Sequence, residues 1–164
     1  MLKVGVLGAG SMGSGIAQIA ASKGHKVFLF DTNKSSLDKA LIKINKILDR
    51  LIEKGKVSSV DKKNTLNNIN TVSAISKFSE VDIVIEAIIE DLEIKKSVFK
   101  QLDEICNPDC ILASNTSSFS LSSIASSCSN SERVIGIHFF NPAPVMPLVE
   151  IIPAIQSSKE VIDR

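Results

Sequence analysis

A glycine-rich turn near the N-terminus constrains the fold of this chain more than any other feature. Gly8, Gly10 and Gly13 follow a short apolar stretch, Lys3 to Leu7, that is typical of a buried β-strand. The residues after the turn, Met12 to Ala20, repeat apolar side chains at helical spacing. A strand, a glycine turn and a helix in this order predict the start of a βαβ unit, whose helix N-terminus offers free N–H groups to the phosphates of a dinucleotide.

The rest of the chain repeats this alternation of short apolar runs and longer helical patterns. Such alternation predicts an α/β fold in which a doubly wound, mostly parallel sheet of the Rossmann type carries helices on both faces. The predicted strands are Lys3 to Leu7, Lys26 to Phe30, Asn70 to Ser73, Asp82 to Ala87, Cys110 to Ala113, Arg133 to Phe139 and Leu148 to Ile152.

Length and composition exclude several classes of protein. The 164 residues suffice for one domain, and the net charge of +1, with interspersed signs, argues against nucleic acid or an anionic membrane as partner. No apolar run reaches the roughly 18 residues of a membrane span. The three cysteines, Cys106, Cys110 and Cys128, do not have the spacing of a disulfide framework or of a zinc site, so we expect the reducing cytoplasm and no metal.

Two segments between predicted strands have helical patterns. A charged stretch after the second strand carries one apolar stripe and ends near Lys54, Gly55 and Lys56. The stripe either packs on neighbouring elements or belongs to a projecting helix used by substrate or a partner subunit. The stripe consists of Leu37, Leu41, Ile44, Leu48 and Leu51.

The serine-rich residues 114–131 keep helical spacing at Leu121, Ile124 and Ala125, which predicts a short surface helix.

The glycine turn and Asp31 together predict a dinucleotide site. Asp31 ends the second predicted strand, where its carboxylate can accept hydrogen bonds from both adenosine ribose hydroxyls and would repel a 2′-phosphate. NAD is therefore favoured over NADP. The alternative role of Asp31 is the N-cap of the following helix. The turn residues expected to hold the cofactor are Gly8, Ala9, Gly10, Ser11, Met12 and Gly13.

Polar residues stand at the carboxyl ends of three further strands, where ligands of open α/β sheets bind. Glu86 and Glu90 lie at or after the fourth strand, residues 115–118 follow the fifth, and His138 closes the sixth. His138 can take a proton from an alcohol near neutral pH, and Glu150 could orient its ring from a neighbouring strand. From spacing alone, His138 could equally be a core histidine. The other histidine, His25, is expected at the solvated surface.

Four segments of the chain carry a family resemblance: residues 8–17, GAGSMGSGIA; 86–95, EAIIEDLEIK; 113–118, ASNTSS; and 136–150, GIHFFNPAPVMPLVE. They resemble 3-hydroxyacyl-CoA dehydrogenases, and most closely the bacterial 3-hydroxybutyryl-CoA dehydrogenases. The resemblance covers essentially the whole chain, in order and with the expected spacings. The glycine turn is shared with many families, whereas His-Phe-Phe-Asn-Pro followed by Glu150 narrows the choice to this one.

This resemblance implies a role for each matching residue. It makes His138 the catalytic base, Glu150 its orienting carboxylate, and Ser117 a contact to the substrate's 3-oxygen that also lies near the nicotinamide. Lys54 corresponds to a contact with CoA. The positions that match further cofactor contacts are Glu90, Lys95 and Asn141.

The resemblance also implies the reaction. A (3S)-hydroxyacyl-CoA, such as 3-hydroxybutyryl-CoA, and NAD+ would give the 3-oxoacyl-CoA, NADH and a proton, in fatty acid or butanoate metabolism. The absence of tyrosine excludes the tyrosine acid/base of short-chain dehydrogenases within this chain. Other dehydrogenases with a similar glycine turn use a lysine base instead.

Residues 1–164 are expected to form the NAD-binding domain, cut before its last helix and strand, with residues 157–164 starting an unfinished helix. Relatives continue into a helical domain, which is absent here, so we expect a full-length homodimer held by that domain. The alternative function is an NAD-binding module without turnover, because its substrate domain is missing.

Overall fold

The computed structural model describes all 164 residues as a single seven-stranded sheet with helices on both faces. The strands are β1 (Lys3–Leu7), β2 (Lys26–Phe30), β3 (Ile69–Thr71), β4 (Ile83–Glu86), β5 (Ile111–Ser114), β6 (Val134–Phe139) and β7 (Val149–Pro153). The α-helices are α1 (Ser11–Ser22), α2 (Lys34–Glu53), α3 (Ser59–Asn67), α4 (Leu92–Ile105), α5 (Leu121–Ala125) and α6 (Lys159–Asp163). Short 3-10 turns occupy Ile75–Glu80 and Ser131–Arg133.

The strand order β3-β2-β1-β4-β5-β6-β7 confirms the doubly wound architecture. All neighbouring strands are parallel except β6 and β7, which pair antiparallel. The chain returns from the β3 edge to the centre of the sheet at β4, so β1 and β4 lie side by side with their following loops turning in opposite directions. A crevice opens at such a switch point, outside the carboxyl ends of the strands.

Alternating strand residues supply the two cores on either side of the sheet. In β5, Ile111 and Ala113 pack into the core beneath α1 and α2, whereas Leu112 packs into the opposite core with α4 and α5. A strand covered on both faces is apolar throughout, which explains the continuous apolar runs in the sequence. This burial fixes where each strand ends along the strand direction, and therefore the position of the polar residues that follow.

The predicted strands are all present, with bounds that differ by one or two residues at most. The apolar stripe of α2 packs against neighbouring elements, so the simpler of its two interpretations is confirmed. The helix ends with Lys54 as its C-cap, and Gly55 has the left-handed φ of 65° that glycine tolerates. A helix that we did not predict, α3, has Ser58 as its N-cap, and Ser58 and Asp61 form a capping box.

The C-terminal edge of the sheet is open. All five residues of β7 are exposed, although three of them are aliphatic: Val149, Ile151 and Ile152. The helix expected at residues 157–164 is present as α6. None of the helices combines the length and the apolar character needed to cross a membrane.

Candidate active site

The glycine turn is shaped by close backbone approaches that side chains would block. Gly8 has a φ of 102°, and a Cβ on Gly13 would lie 1.9 Å from the carbonyl oxygen of Gly8. By contrast, a Cβ on Gly10 would meet no atom within 4 Å. The turn is therefore tightly closed on the protein side and open at Gly10, where the N-terminus of α1 begins. These features fit a pyrophosphate seated against the backbone.

Asp31 reaches across from the end of β2 to this turn. Its Oδ2 accepts a hydrogen bond from Ala9 N at 2.8 Å, and its Oδ1 accepts one from Asn33 N at 2.8 Å. The N-cap of α2 is Asn33, whose side chain accepts from Ser35 N, so the alternative role for Asp31 as the N-cap is wrong. Each carboxylate oxygen keeps a second lone pair, and both can accept from ribose hydroxyls.

Three neighbouring cavities run along the carboxyl ends of the strands. Each adjoins the next through two shared residues: Ala87 and Ile88 between the first and second, Ser117 and His138 between the second and third. We name them the turn cavity (about 650 Å³), the middle cavity (about 360 Å³) and the rim cavity (about 410 Å³).

The lining of these cavities changes along their length. The turn cavity is lined by residues that include Gly8, Gly10, Asp31, Ile75 and Ile94. The middle cavity is lined by residues that include Met12, Glu90, Lys95, Asn115, Phe139 and Asn141. The rim cavity is lined by residues that include Thr116, Ser118, Ser120, Ser122, Glu150 and Ile152. The turn cavity thus combines apolar walls with the glycine turn, and the rim cavity is lined largely by hydroxyl groups. The glycine turn and the Asp31 carboxylate, which are the residue types of a dinucleotide site, both line the turn cavity.

His138 and Glu150 form a hydrogen-bonded pair at the far end of the crevice. The antiparallel register of β6 and β7 places the two residues directly opposite each other, and His138 Nδ1 lies 2.8 Å from Glu150 Oε2. The ring of His138 also contacts Phe140, with ring centroids 4.8 Å apart. Because Nδ1 faces the carboxylate, Nε2 is left to exchange a proton with another group. The interpretation of His138 as a core histidine is therefore wrong, although it is the penultimate residue of β6 and does not close the strand.

A second acid–base pair lies behind the middle cavity. Glu86 Oε1 accepts from Lys95 Nζ at 2.6 Å and from Ile88 N at 2.8 Å, while Glu86 Oε2 accepts from Ser114 Oγ at 2.7 Å. Both Glu86 and Lys95 are buried. The sequence placed Glu86 at this edge without indicating its partners, because nothing in the spacing shows that α4 folds Lys95 back onto β4.

Glu90 connects this buried pair to the serine loop after β5. It lies 3.5 Å from Lys95 Nζ, accepts from Thr116 Oγ1 at 3.1 Å, and accepts from Ser117 N at 3.4 Å. The structure thus brings together Glu90 and Ser117, which the sequence placed at the same edge of the sheet, and Lys95, which only the family resemblance had indicated. Thr116 was not singled out individually, and only the polar character of residues 115–118 signalled it.

The remaining predicted residues lie at different distances from this centre. Asn141 lines the middle cavity, beside the predicted turn residue Met12. Lys54 does not line any of the three cavities; it is exposed at the C-terminal end of α2. A separate groove of about 680 Å³ lies between α2 and the loop after β6. It is lined by four basic side chains, Lys39, Lys43, Lys46 and Arg50.

Comparison with known proteins supports one family. The family model described as "3-hydroxyacyl-CoA dehydrogenase, NAD binding domain" matches residues 3–164. The chain is 45% identical to a 3-hydroxybutyryl-CoA dehydrogenase of Clostridioides difficile over 99% of its own length and 58% of that protein. It is 44% identical to a 3-hydroxyadipyl-CoA dehydrogenase of Escherichia coli over 98% of its own length and 34% of that protein.

Solved structures agree with these sequence matches. A 3-hydroxybutyryl-CoA dehydrogenase from Escherichia coli superposes with a TM-score of 0.97 at 43% identity, over 99% of this chain and 34% of the other. The (S)-3-hydroxybutyryl-CoA dehydrogenase of Ralstonia eutropha gives a TM-score of 0.96 at 40% identity, over 99% of this chain and 58% of the other. The chain therefore spans less than two thirds of these relatives.

Proposed function

Because this chain belongs to the family of NAD-binding domains of 3-hydroxyacyl-CoA dehydrogenases, we propose that it serves the reversible oxidation of a (3S)-hydroxyacyl-CoA by NAD. The observation that carries the proposal is the 2.8 Å pair of His138 and Glu150, which lies where the middle and rim cavities meet. A base in that position touches both the cofactor side and the substrate side of the crevice.

We assign the proton transfer to His138. Nε2 takes the proton of the 3-hydroxyl group, and the Glu150 carboxylate orients the ring and stabilises the imidazolium that forms. Ser117, shared by the same two cavities, donates a hydrogen bond to the 3-oxygen. When bound, NAD supplies the acceptor for the hydride that leaves C3.

The other cofactor contacts follow the order of the cavities. The glycine turn, residues 8–13, holds the pyrophosphate and Asp31 holds the adenosine ribose. Glu90, Lys95 and Asn141 contact the nicotinamide half from the middle cavity. This division is supported by the open space at Gly10 and by the carboxylate of Asp31 at the turn.

For the CoA moiety we propose Lys54, together with the basic groove on α2. Lys39, Lys43, Lys46 and Arg50 share one face of the helix, and their positive charges suit the phosphates of CoA. The groove also includes Asn141 and Pro142, so it borders the middle cavity. A CoA held there would lead its acyl thioester towards His138.

We further propose that the full-length protein is a homodimer in the cytoplasm, held together by a helical domain that follows this one. The exposed aliphatic residues of β7 support an additional domain, since apolar strand faces are ordinarily covered. The three unpaired cysteines suit a reducing compartment.

The 164-residue chain could also bind NAD without turnover. The open rim cavity beside the exposed strand β7 favours this alternative for the domain alone. Oxidation of NADH by acetoacetyl-CoA separates the two functions, with NADH binding measured in parallel. Turnover supports autonomous catalysis, binding without turnover supports the module, and a chain that does not bind NADH contradicts both.

A further inference from the structure

The strand β6 extends beyond the end of its neighbour β5, close to His138. The last parallel pairing joins Ser114 to Gly136, whereas β6 continues to Phe139. On its other edge, β6 stays paired with β7 up to Phe139 and Val149. The peptide that links His138 to Phe139 therefore has a strand partner on one side only.

The side chain of Asn115 takes the place of the missing strand residue. Its Oδ1 accepts a hydrogen bond from Phe139 N at 2.9 Å. The backbone of Asn115 is itself fixed, because its N–H donates to the carbonyl oxygen of Glu86 at 2.8 Å. Asn115 thus holds the peptide directly after the catalytic histidine, at the point where β5 turns away into the serine loop.

This hydrogen bond also determines the orientation of the amide group. A backbone N–H can only donate, so the oxygen of Asn115 must face Phe139 and the Nδ2 group must point elsewhere. Nδ2 has no acceptor within the protein, and Asn115 lines the middle cavity with Glu90, His138 and Asn141. The amide therefore offers two free N–H donors beside that cavity.

The cavity in which these donors lie indicates the ligand. Asn115 lines the middle cavity but not the rim cavity, which Glu150 and the hydroxyl-rich loop surround. The nicotinamide riboside half of NAD offers neutral acceptors, namely its carboxamide oxygen and ribose hydroxyls. We propose that Asn115 both positions His138 through Oδ1 and binds the nicotinamide half of NAD through Nδ2, an inference that depends on the function proposed above.

The variant Asn115→Asp separates the two contacts. An aspartate has nearly the same shape and keeps an acceptor for Phe139 N–H, but it has no donor for the cofactor. We expect NADH to bind about tenfold more weakly. ADP, which lacks the whole nicotinamide riboside, should bind to the variant within about twofold of its wild-type affinity. NADH fluorescence is a convenient probe, because the chain contains neither tryptophan nor tyrosine.

Two further variants complete the experiment. Asn67→Asp makes the same chemical change at an exposed position of α3 and should leave both affinities unaltered. Asn115→Ala removes both contacts, so it should weaken NADH binding at least as much and, in addition, shift the NMR signals of the His138 ring in the ligand-free protein. In Asn115→Asp those ring signals should stay close to the wild-type positions.

The outcomes distinguish this inference from the proposed function. Wild-type affinity for NADH in Asn115→Asp, or an equal loss of NADH and ADP binding, would overturn the contact with the nicotinamide half. Unchanged His138 signals in Asn115→Ala would overturn the positioning role. If the wild-type chain binds neither ligand, the proposed function itself fails.

Discussion

Two acid–base pairs lie at the same edge of the sheet, and they differ in their exposure to solvent. The side chains of His138 and Glu150 are 18% and 48% exposed, whereas those of Lys95 and Glu86 are 1% and 0% exposed. Glu86 accepts hydrogen bonds from Lys95, Ile88 and Ser114. His138 has a single fixed partner and one ring nitrogen free to react.

The difference indicates how the site divides its tasks. A buried, fully hydrogen-bonded ion pair is costly to break and holds its surroundings in one arrangement. A partly exposed imidazole can exchange a proton with a substrate without stranding a charge in the interior. We therefore expect the buried pair chiefly to support the structure around the middle cavity, where Lys95 also meets the cofactor in the proposed function, and the exposed pair to support catalysis. Substitutions in each pair can test this separation.

The largest effect on activity is expected for His138→Ala. In a form of the protein extended to the full length of its relatives, removing the general base should lower kcat by about 100- to 10,000-fold. Steady-state oxidation of NADH by acetoacetyl-CoA measures the change, and NADH affinity should stay close to wild type. A variant with near-normal kcat would show that His138 is not the general base. The exposed pair would then have no catalytic role that distinguishes it from the buried pair.

The largest effect on stability is expected for Glu86→Met. The ammonium of Lys95 would then be buried with only its longer, 3.5 Å contact to Glu90, and the loss of Glu86 costs about 3–5 kcal/mol of the free energy of unfolding. Urea unfolding followed by circular dichroism measures the loss. The double variant Glu86→Met/Lys95→Met leaves no buried charge and should regain much of that stability. A double variant whose losses simply add would show that the pair does not act as a unit.

A smaller effect on activity is expected for Glu150→Gln. Glutamine keeps the shape of the side chain but not the charge that stabilises the imidazolium, and a hydrogen bond to a charged group accounts for about 10- to 100-fold in rate. The loss should appear in kcat rather than in the KM for NADH. Because Glu150 is half-exposed, the free energy of unfolding should hardly change, in contrast to Glu86→Met.

The sequence predicted the exposed pair better than the buried one. His138 and Glu150 lie on adjacent strands of a hairpin-like connection, so their pairing needs only a local register. Glu86 and Lys95 meet because α4 packs back onto β4, and their mutual burial follows from the tertiary structure. The positions of the strands could likewise be predicted, because they follow from local apolar patterns. The role of Asn115 could not, because it depends on how far β6 extends past β5 in the tertiary structure.

The helix α3 was missed for a different reason. It has no apolar stripe, and only Thr65 among its residues is buried, so periodicity gave no signal. Its capping box at Ser58 and Asp61 was the local indication. The glycine turn, by contrast, was predicted from its glycines together with the strand before it, the helix after it and Asp31. Its spacing carried that information because the backbone contacts of Gly8 and Gly13 tolerate no side chain.

The smaller of the two effects on stability concerns a buried group that has no ionic partner. Burial raises the pKa of the Cys128 thiol to about 11, from 9.0. The folded chain therefore keeps this proton at a pH where the unfolded chain has released it, so stability falls as the pH rises from 9 towards 11. Relative to Cys128→Val, the wild type should lose about 2 kcal/mol over that interval in urea unfolding. Parallel pH profiles for the two proteins would contradict the raised pKa.

The position of the His138 ring in the cofactor crevice can be tested most directly with the two histidines of the chain. NADH is titrated into the 164-residue protein while the imidazole NMR signals of His138 and His25 are recorded. His25 lies on the amino-terminal side of the sheet, where its Nδ1 accepts an exposed hydrogen bond from Leu2 N, and it serves as the internal control. We predict that the His138 signals shift in proportion to bound NADH and that those of His25 do not. Saturation with NADH that leaves the His138 signals unmoved would contradict the claim that its ring faces the cofactor crevice.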